Sequence, residues 1–143
     1  MEIKFFDYTQ EYKYIKSEIF NAIENVFDSG KLILADQVSN FQENFTHSLE
    51  DLNAHSVGVN SGTDALVVAL MAHEIGSGDE VITVANTAIP TISAIRITGA
   101  TPIFCDVDSK TALMDISLFL DRITPKTKAI IPVHLFGNAV DVM

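Results

Sequence analysis

Apolar residues recur at intervals of three and four through the opening of the chain, at Tyr12, Ile15, Ile19, Ile23, Val26 and Phe27. That spacing puts them on one face of a helix, which Gly30 ends. A second helix is expected to start near Asp36 as its cap and to carry Val38, Phe41, Phe45, Leu49 and Leu52 on a buried stripe. Together they read as an N-terminal helical layer ahead of the sheet, with Phe5 and Phe6 anchoring the segment before it.

From residue 56 onward, short apolar runs alternate with helical stretches. Ser56 to Val59 is a short β-prone run. Glu80 to Val84 follows the turn Gly76-Ser77-Gly78-Asp79, Thr101 to Val107 follows Gly99, and Lys128 to His134 follows Thr124-Pro125. Helices are expected between them, from about Thr63 to Ile75, Ile89 to Thr98 with Pro90 in the first turn, and Asp115 to Ile123 with Asp115 as cap. This is the pattern of βα units in a largely parallel sheet, and the nearly continuous apolar strands suit burial on both faces. No repeat, low-complexity segment or linker divides the chain, so residues 1–143 read as one domain. A strand that runs into the loop His134 to Asn138 so near the last residue calls for a further helix to cover it, and the domain is expected to be incomplete.

Composition narrows the function. Hydrophobic residues make up 48% of the chain, enough for one core, and the net charge of -10 with no Lys/Arg cluster argues against a nucleic-acid surface. The single cysteine, Cys105, excludes an intrachain disulfide and a cysteine zinc site within these residues. The N-terminus lacks the basic and apolar regions of a signal peptide, and no apolar run approaches the ~20 residues needed to span a bilayer. A cytoplasmic home is expected.

The stretch Asn60 to Leu66, NSGTDAL, places a glycine turn at a helix start. Unpaired first-turn N–H groups and the positive end of the helix dipole favour a phosphate there, and Gly62 allows close approach. Ser61, Thr63 and Asp64 are equally ordinary helix-capping residues, and locally capping is the commoner explanation. Neither a G-x-G-x-x-G fingerprint nor a P-loop is present. Asn86 to Thr91 lies at a strand end and helix start, where open α/β sheets bind ligands, yet Thr87 and Pro90 also read as capping and first-turn residues. His134 reads as a structural hydrogen-bonding group, Asp106 and Asp108 as strand and turn carboxylates rather than metal ligands, and Asp79-Glu80 as a solvated turn.

NSGTDAL, GSGDEVITVANTAIPTISAI, GATPIFCDVD and ITPKTKAIIPVHLFGN, in that order, together resemble the sugar aminotransferases of the DegT/StrS type, whose cofactor is pyridoxal 5′-phosphate. Asp28 to Leu34 resembles the family's lead-in to the active site. The resemblance implies a fold-type I architecture: an α/β class with a mostly parallel sheet, flanking helices and two N-terminal helices, here only part of the large domain. It implies that Gly62 and Thr63, with Asp64 adjoining, hold the cofactor phosphate. Ala88 falls where many relatives carry an aromatic residue that stacks on the pyridine ring.

Transamination also needs a lysine that holds the cofactor and moves the proton, and an acid that keeps the pyridine nitrogen protonated. Lys4, Lys13, Lys16, Lys31, Lys110, Lys126 and Lys128 match no catalytic position, so the resemblance places both groups beyond these residues. It implies no catalytic residue in this chain, and no activity from it alone. The substrates it implies are a nucleotide-linked keto sugar and an amino-acid donor, typically glutamate, with homodimers when full length. A sugar dehydratase of the same family, with histidine in place of the lysine, and a non-catalytic remnant that binds phosphate or a partner are the alternatives.

Overall fold

Gly30 takes up the left-handed conformation, φ 66°, and its N–H returns to the Phe27 carbonyl, so the first helix closes where the apolar periodicity stops. That helix is α1, Thr9–Ser29, and α2 follows at Asp36–Ser48. The computed structural model describes residues 7–49 and 53–141, so Phe5, Phe6 and Leu52 lie outside the described residues. The chain divides into two compact units, residues 1–58 and 59–143.

In the first unit the helices stand where periodicity puts them, but the stripes are not buried. No residue of α1 or α2 is buried, and Phe27, Phe41 and Phe45 are all exposed. Asp36 is the first helical residue rather than the cap, a place held by Ala35 with no side-chain bond. The run Ser56 to Val59 forms no strand: the Gly58 N–H goes to Gln42 Oε1 at 2.8 Å, and Ser56 Oγ takes the Thr46 hydroxyl at 2.7 Å.

The second unit is built from α3 (Gly62–Ala72), β1 (Glu80–Val84), α4 (Ile89–Ile97), β2 (Thr101–Cys105), α5 (Ile116–Phe119) and β3 (Thr127–Ile130). The strands form a parallel sheet in the order β2-β1-β3, the α/β arrangement expected. Alternation along β1 divides the core into two layers. Val81 joins Leu70, Ile75, Ala94, Ile95 and Ala100 on the side of α3 and α4, and Ile82 and Val84 join Cys105, Leu113, Met114 and Val140 on the other.

Burial on both faces holds only for the central β1. Phe104 of β2 and Ile130 of β3 are exposed. β3 is also shorter than the apolar run that predicts it, because its pairing stops at Ile130, short of Pro132, which has no N–H to donate. Beyond the strand, His134 Nδ1 accepts the Val140 N–H at 2.9 Å, the structural role its type and position predict. Asp115 caps α5, accepting the Ser117 N–H at 2.9 Å, and α5 gives way after Phe119 to a 3-10 turn over Leu120–Arg122.

Candidate functional site

Helices α3 and α4 pack together on one side of the sheet. Gly99, at φ +87°, is so close to Ser77 that a Cβ there would stand 3.4 Å from the Ser77 nitrogen, and Gly76 lies against the Thr98 carbonyl. The C-terminal ends of α3 and α4 are therefore neighbours. Along their length Leu66, Val67 and Leu70 pack with Ala94 and Ile95. Since α4 follows the carboxyl end of β1 directly, both helices begin at the carboxyl edge, where parallel α/β sheets bind ligands.

At α3 the cap is Ser61, in extended conformation, whose Oγ accepts the Asp64 N–H at 3.1 Å and donates to Asp64 Oδ2 at 3.1 Å. The first helical bond runs from the Ala65 N–H to the Ser61 carbonyl at 3.0 Å. The Gly62 and Thr63 N–H groups precede that bond and have no partner among the described residues, and Thr63 is half-buried. A Cβ at Gly62 would meet no protein atom within 4 Å. Two open donors, the helix dipole and free space at the glycine fit a phosphate group.

At α4 the cap position is Ala88, exposed, with φ -66° and ψ 142°, and Pro90 sits in the first turn. The Thr87 and Thr91 hydroxyls are 2.8 Å apart. Ala88 offers a small apolar surface and no ring. Asn86, in the same loop, donates from Nδ2 to the Ala112 carbonyl at 2.8 Å.

Ala112 belongs to an excursion after β2, closed by an antiparallel bridge between Val107 and Met114. Its turn is organised by Asp108, whose Oδ1 accepts the Thr111 N–H at 2.8 Å, the Lys110 N–H at 3.0 Å and the Thr111 hydroxyl at 3.1 Å. Those bonds, the Thr111 N–H foremost, hold the Asp108 carboxyl below the usual carboxylate range. The Asp-Val-Asp pair thus builds a turn, and no cluster among the described residues could hold a metal ion. Burial pushes the Cys105 thiol up, and its Sγ contacts the Asp115 carbonyl at 3.5 Å.

The structure brings Gly62, Thr63, Asp64 and Ala88 to the same sheet edge, with the Asp64 N–H already taken by Ser61. The Asn86 to Ala112 bond is not legible in sequence, because nothing about an alanine announces a φ of +58°. Only the Asp108 to Thr111 spacing marks a tight turn there.

Fold and site define a parallel α/β unit with an open helix start toward its carboxyl edge. The chain belongs to the DegT/DnrJ/EryC1/StrS aminotransferase family, whose model matches residues 13–143. It is 46% identical over 136 residues to the dTDP-3-amino-3,4,6-trideoxy-alpha-D-glucose transaminase of Micromonospora megalomicea subsp. nigra, covering 94% of this chain and 35% of that protein. To the UDP-N-acetyl-3-dehydro-alpha-D-glucosamine 3-aminotransferase of Acidithiobacillus ferrooxidans it is 45% identical, over 89% of this chain and 34% of that protein.

Among solved structures, S. venezuelae DesV matches with a TM-score of 0.91 at 39% identity, over 97% of this chain and 37% of that one. NtdA from Bacillus subtilis, solved with bound cofactor PMP, matches with a TM-score of 0.83 at 33% identity, over 87% of this chain and 28% of that one. The chain spans about a third of the length of these relatives. No helix among the described residues is long and apolar enough to cross a membrane.

Proposed function

We propose that residues 1–143 form the N-terminal part of the large domain of a pyridoxal 5′-phosphate aminotransferase. It would move an amino group, from glutamate as donor, onto a keto sugar linked to a nucleotide. The observation that carries this reading is the open first turn at Gly62 and Thr63, at the start of the helix that packs on the one Ala88 caps, within a chain of this family.

Gly62 and Thr63 would hold the phosphate through their N–H groups, with the Thr63 hydroxyl as a third donor. Asp64, engaged with Ser61, keeps that turn in shape. Ala88 would give the ring an apolar contact at the start of α4. Bound at this edge, the cofactor supplies an electron sink that lets a proton leave the amino-bearing carbon. The lysine that moves that proton and the acid on the ring nitrogen would come from further along the polypeptide. The exposed apolar stripe of α1, including Tyr12, Ile15, Ile19 and Ile23, supports a second copy of the chain as its cover in the full-length protein.

The test is borohydride reduction of the full-length protein with pyridoxal 5′-phosphate, followed by mass spectrometry. The expected result is one cofactor attached to a lysine beyond residue 143, and no site-specific adduct on residues 1–143 alone. Absence of any adduct on the full-length protein would overturn the aminotransferase reading. Coding sequence with histidine at the lysine's position would assign the dehydratase chemistry instead.

A further inference from the structure

Asn86 joins the loop that carries Ala88 to a second loop, that of Ala112, and neither residue of this pair has a role in the site as described. β1 and β2 are neighbours, so the segments that follow them lie side by side at the carboxyl edge. Asn86 stands in the first, two residues before Ala88. Ala112 stands in the second, at φ +58°, a conformation that a non-glycine residue keeps only where its surroundings impose it.

Those surroundings are explicit. Asp108 Oδ1 gathers three donors from Lys110 and Thr111, the Ala112 N–H returns to the Asp108 carbonyl at 2.8 Å, and the Asp108 N–H reaches the Leu113 carbonyl at 2.9 Å. The turn is thus fixed before Asn86 is considered. It presents one carbonyl, that of Ala112, to the Asn86 amide across 2.8 Å.

We propose that Asn86 is a positioning residue that ties the loop carrying Ala88 to the Asp108 turn, and so fixes where the cofactor ring meets the start of α4. The proposal rests on the pyridoxal-phosphate reading above. A small residue such as Ala88 gives the ring little to grip, so its backbone position matters more than its side chain. Held from one end by Asn86 and from the other by the Thr87 and Thr91 hydroxyl pair, the loop need not be ordered when the cofactor arrives.

The experiment uses the full-length protein loaded with pyridoxal 5′-phosphate, and follows release of the cofactor and the absorption spectrum of the bound ring. Asn86→Ala and Asn86→Asp are expected to release it roughly tenfold faster, the scale of one hydrogen bond, with a shifted absorption maximum. The denaturation midpoint of the cofactor-free protein should move little, since Asn86 is exposed. Asp108→Ala should act in the same direction, and the Asn86→Ala/Asp108→Ala pair should release it no faster than the stronger single variant. Wild-type protein that binds cofactor, with Asn86 variants unchanged in release and spectrum, would overturn this proposal and leave the reading of the site intact. Wild-type protein that binds none would overturn both. Faster release accompanied by a large fall in the midpoint of the cofactor-free protein would reduce Asn86 to a structural residue and likewise overturn it.

Discussion

Ser61 and Asp64 cap each other: the serine oxygen accepts the Asp64 N–H and its hydroxyl donates to the Asp64 carboxylate, both at 3.1 Å. The exchange takes the third N–H of the turn out of use and keeps the Asp64 carboxylate against the serine hydroxyl. What is left open for an anion is Gly62 and Thr63. Ser61→Ala removes both bonds and should lower stability by about 1 kcal/mol, read as a shift in the urea midpoint. Asp64→Ala leaves the serine bond to the backbone in place and should cost less; the reverse order would show that the carboxylate, not the cap, holds the turn.

Gly62 separates folding from binding. A Cβ at this position meets no protein atom, and its φ is not in the left-handed region, so nothing in the fold requires glycine there. Gly62→Ala should leave the protein as stable or more so, by up to about 1 kcal/mol, because the unfolded chain loses freedom. The same methyl enters the space through which a phosphate approaches. Titration with pyridoxal 5′-phosphate should therefore show weaker binding in a protein that melts no earlier; unchanged affinity would place the phosphate elsewhere.

Ala88 offers the converse substitution. It is exposed at the start of α4 and lies where the family resemblance puts an aromatic ring. Ala88→Phe should leave the melting temperature unchanged and slow release of the cofactor, since ring stacking is worth about 0.5–1.5 kcal/mol beyond burial. Faster release with an unchanged fold would mean that the ring does not meet this position.

The helices, the parallel sheet and the capped helix start at Ser61 are legible in the sequence because each depends on local signals. Gly30 and Pro90 punctuate the chain through φ alone, and the spacing of Ile15, Ile19 and Ile23 reports a face whatever covers it. Coverage is a different matter. Periodicity says that Phe41 and Phe45 share a face, and these two stay exposed because a stripe is buried only when something packs on it. Val57 and Val59 favour a strand, but a strand needs a ladder, and Gly58 finds a side-chain acceptor instead. The bond from Asn86 to Ala112 depends on a positive φ at an alanine, set by three side-chain contacts from Asp108, and no local pattern records that.

The Thr83 hydroxyl donates to the Ile131 carbonyl at 3.0 Å from a fully buried position, just past the end of β3. It continues the join of β1 to the chain after Ile130, where the Ile131 N–H also reaches the Ile82 carbonyl at 2.8 Å. Thr83→Val keeps the shape and removes the donor, so the expected loss is about 1–3 kcal/mol, from leaving a polar group without its bond. Hydrogen exchange should show faster opening at Ile131 than at the β1 to β2 pairing. A loss below the error of the urea measurement would show that the carbonyl finds water.

Asp108 gives the turn beside Asn86 a pH limit. Its carboxylate accepts the Thr111 N–H, the Lys110 N–H and the Thr111 hydroxyl, all of which favour the ionised form, so its pKa in the folded chain lies below the ordinary value of 3.8. Over the acidic range the unfolded chain therefore binds the proton first. The stabilisation is fully present above the unfolded value and is lost as pH falls through the folded one. The turn should stay intact at neutral pH and loosen only in acid below that ordinary value, seen as loss of amide protection at Lys110 and Thr111. Asp108→Asn keeps an acceptor oxygen but cannot titrate there, so its protection should be flat over the same range. An Asp108 carboxyl found by NMR to titrate at or above 3.8 would contradict the bonding that holds this turn.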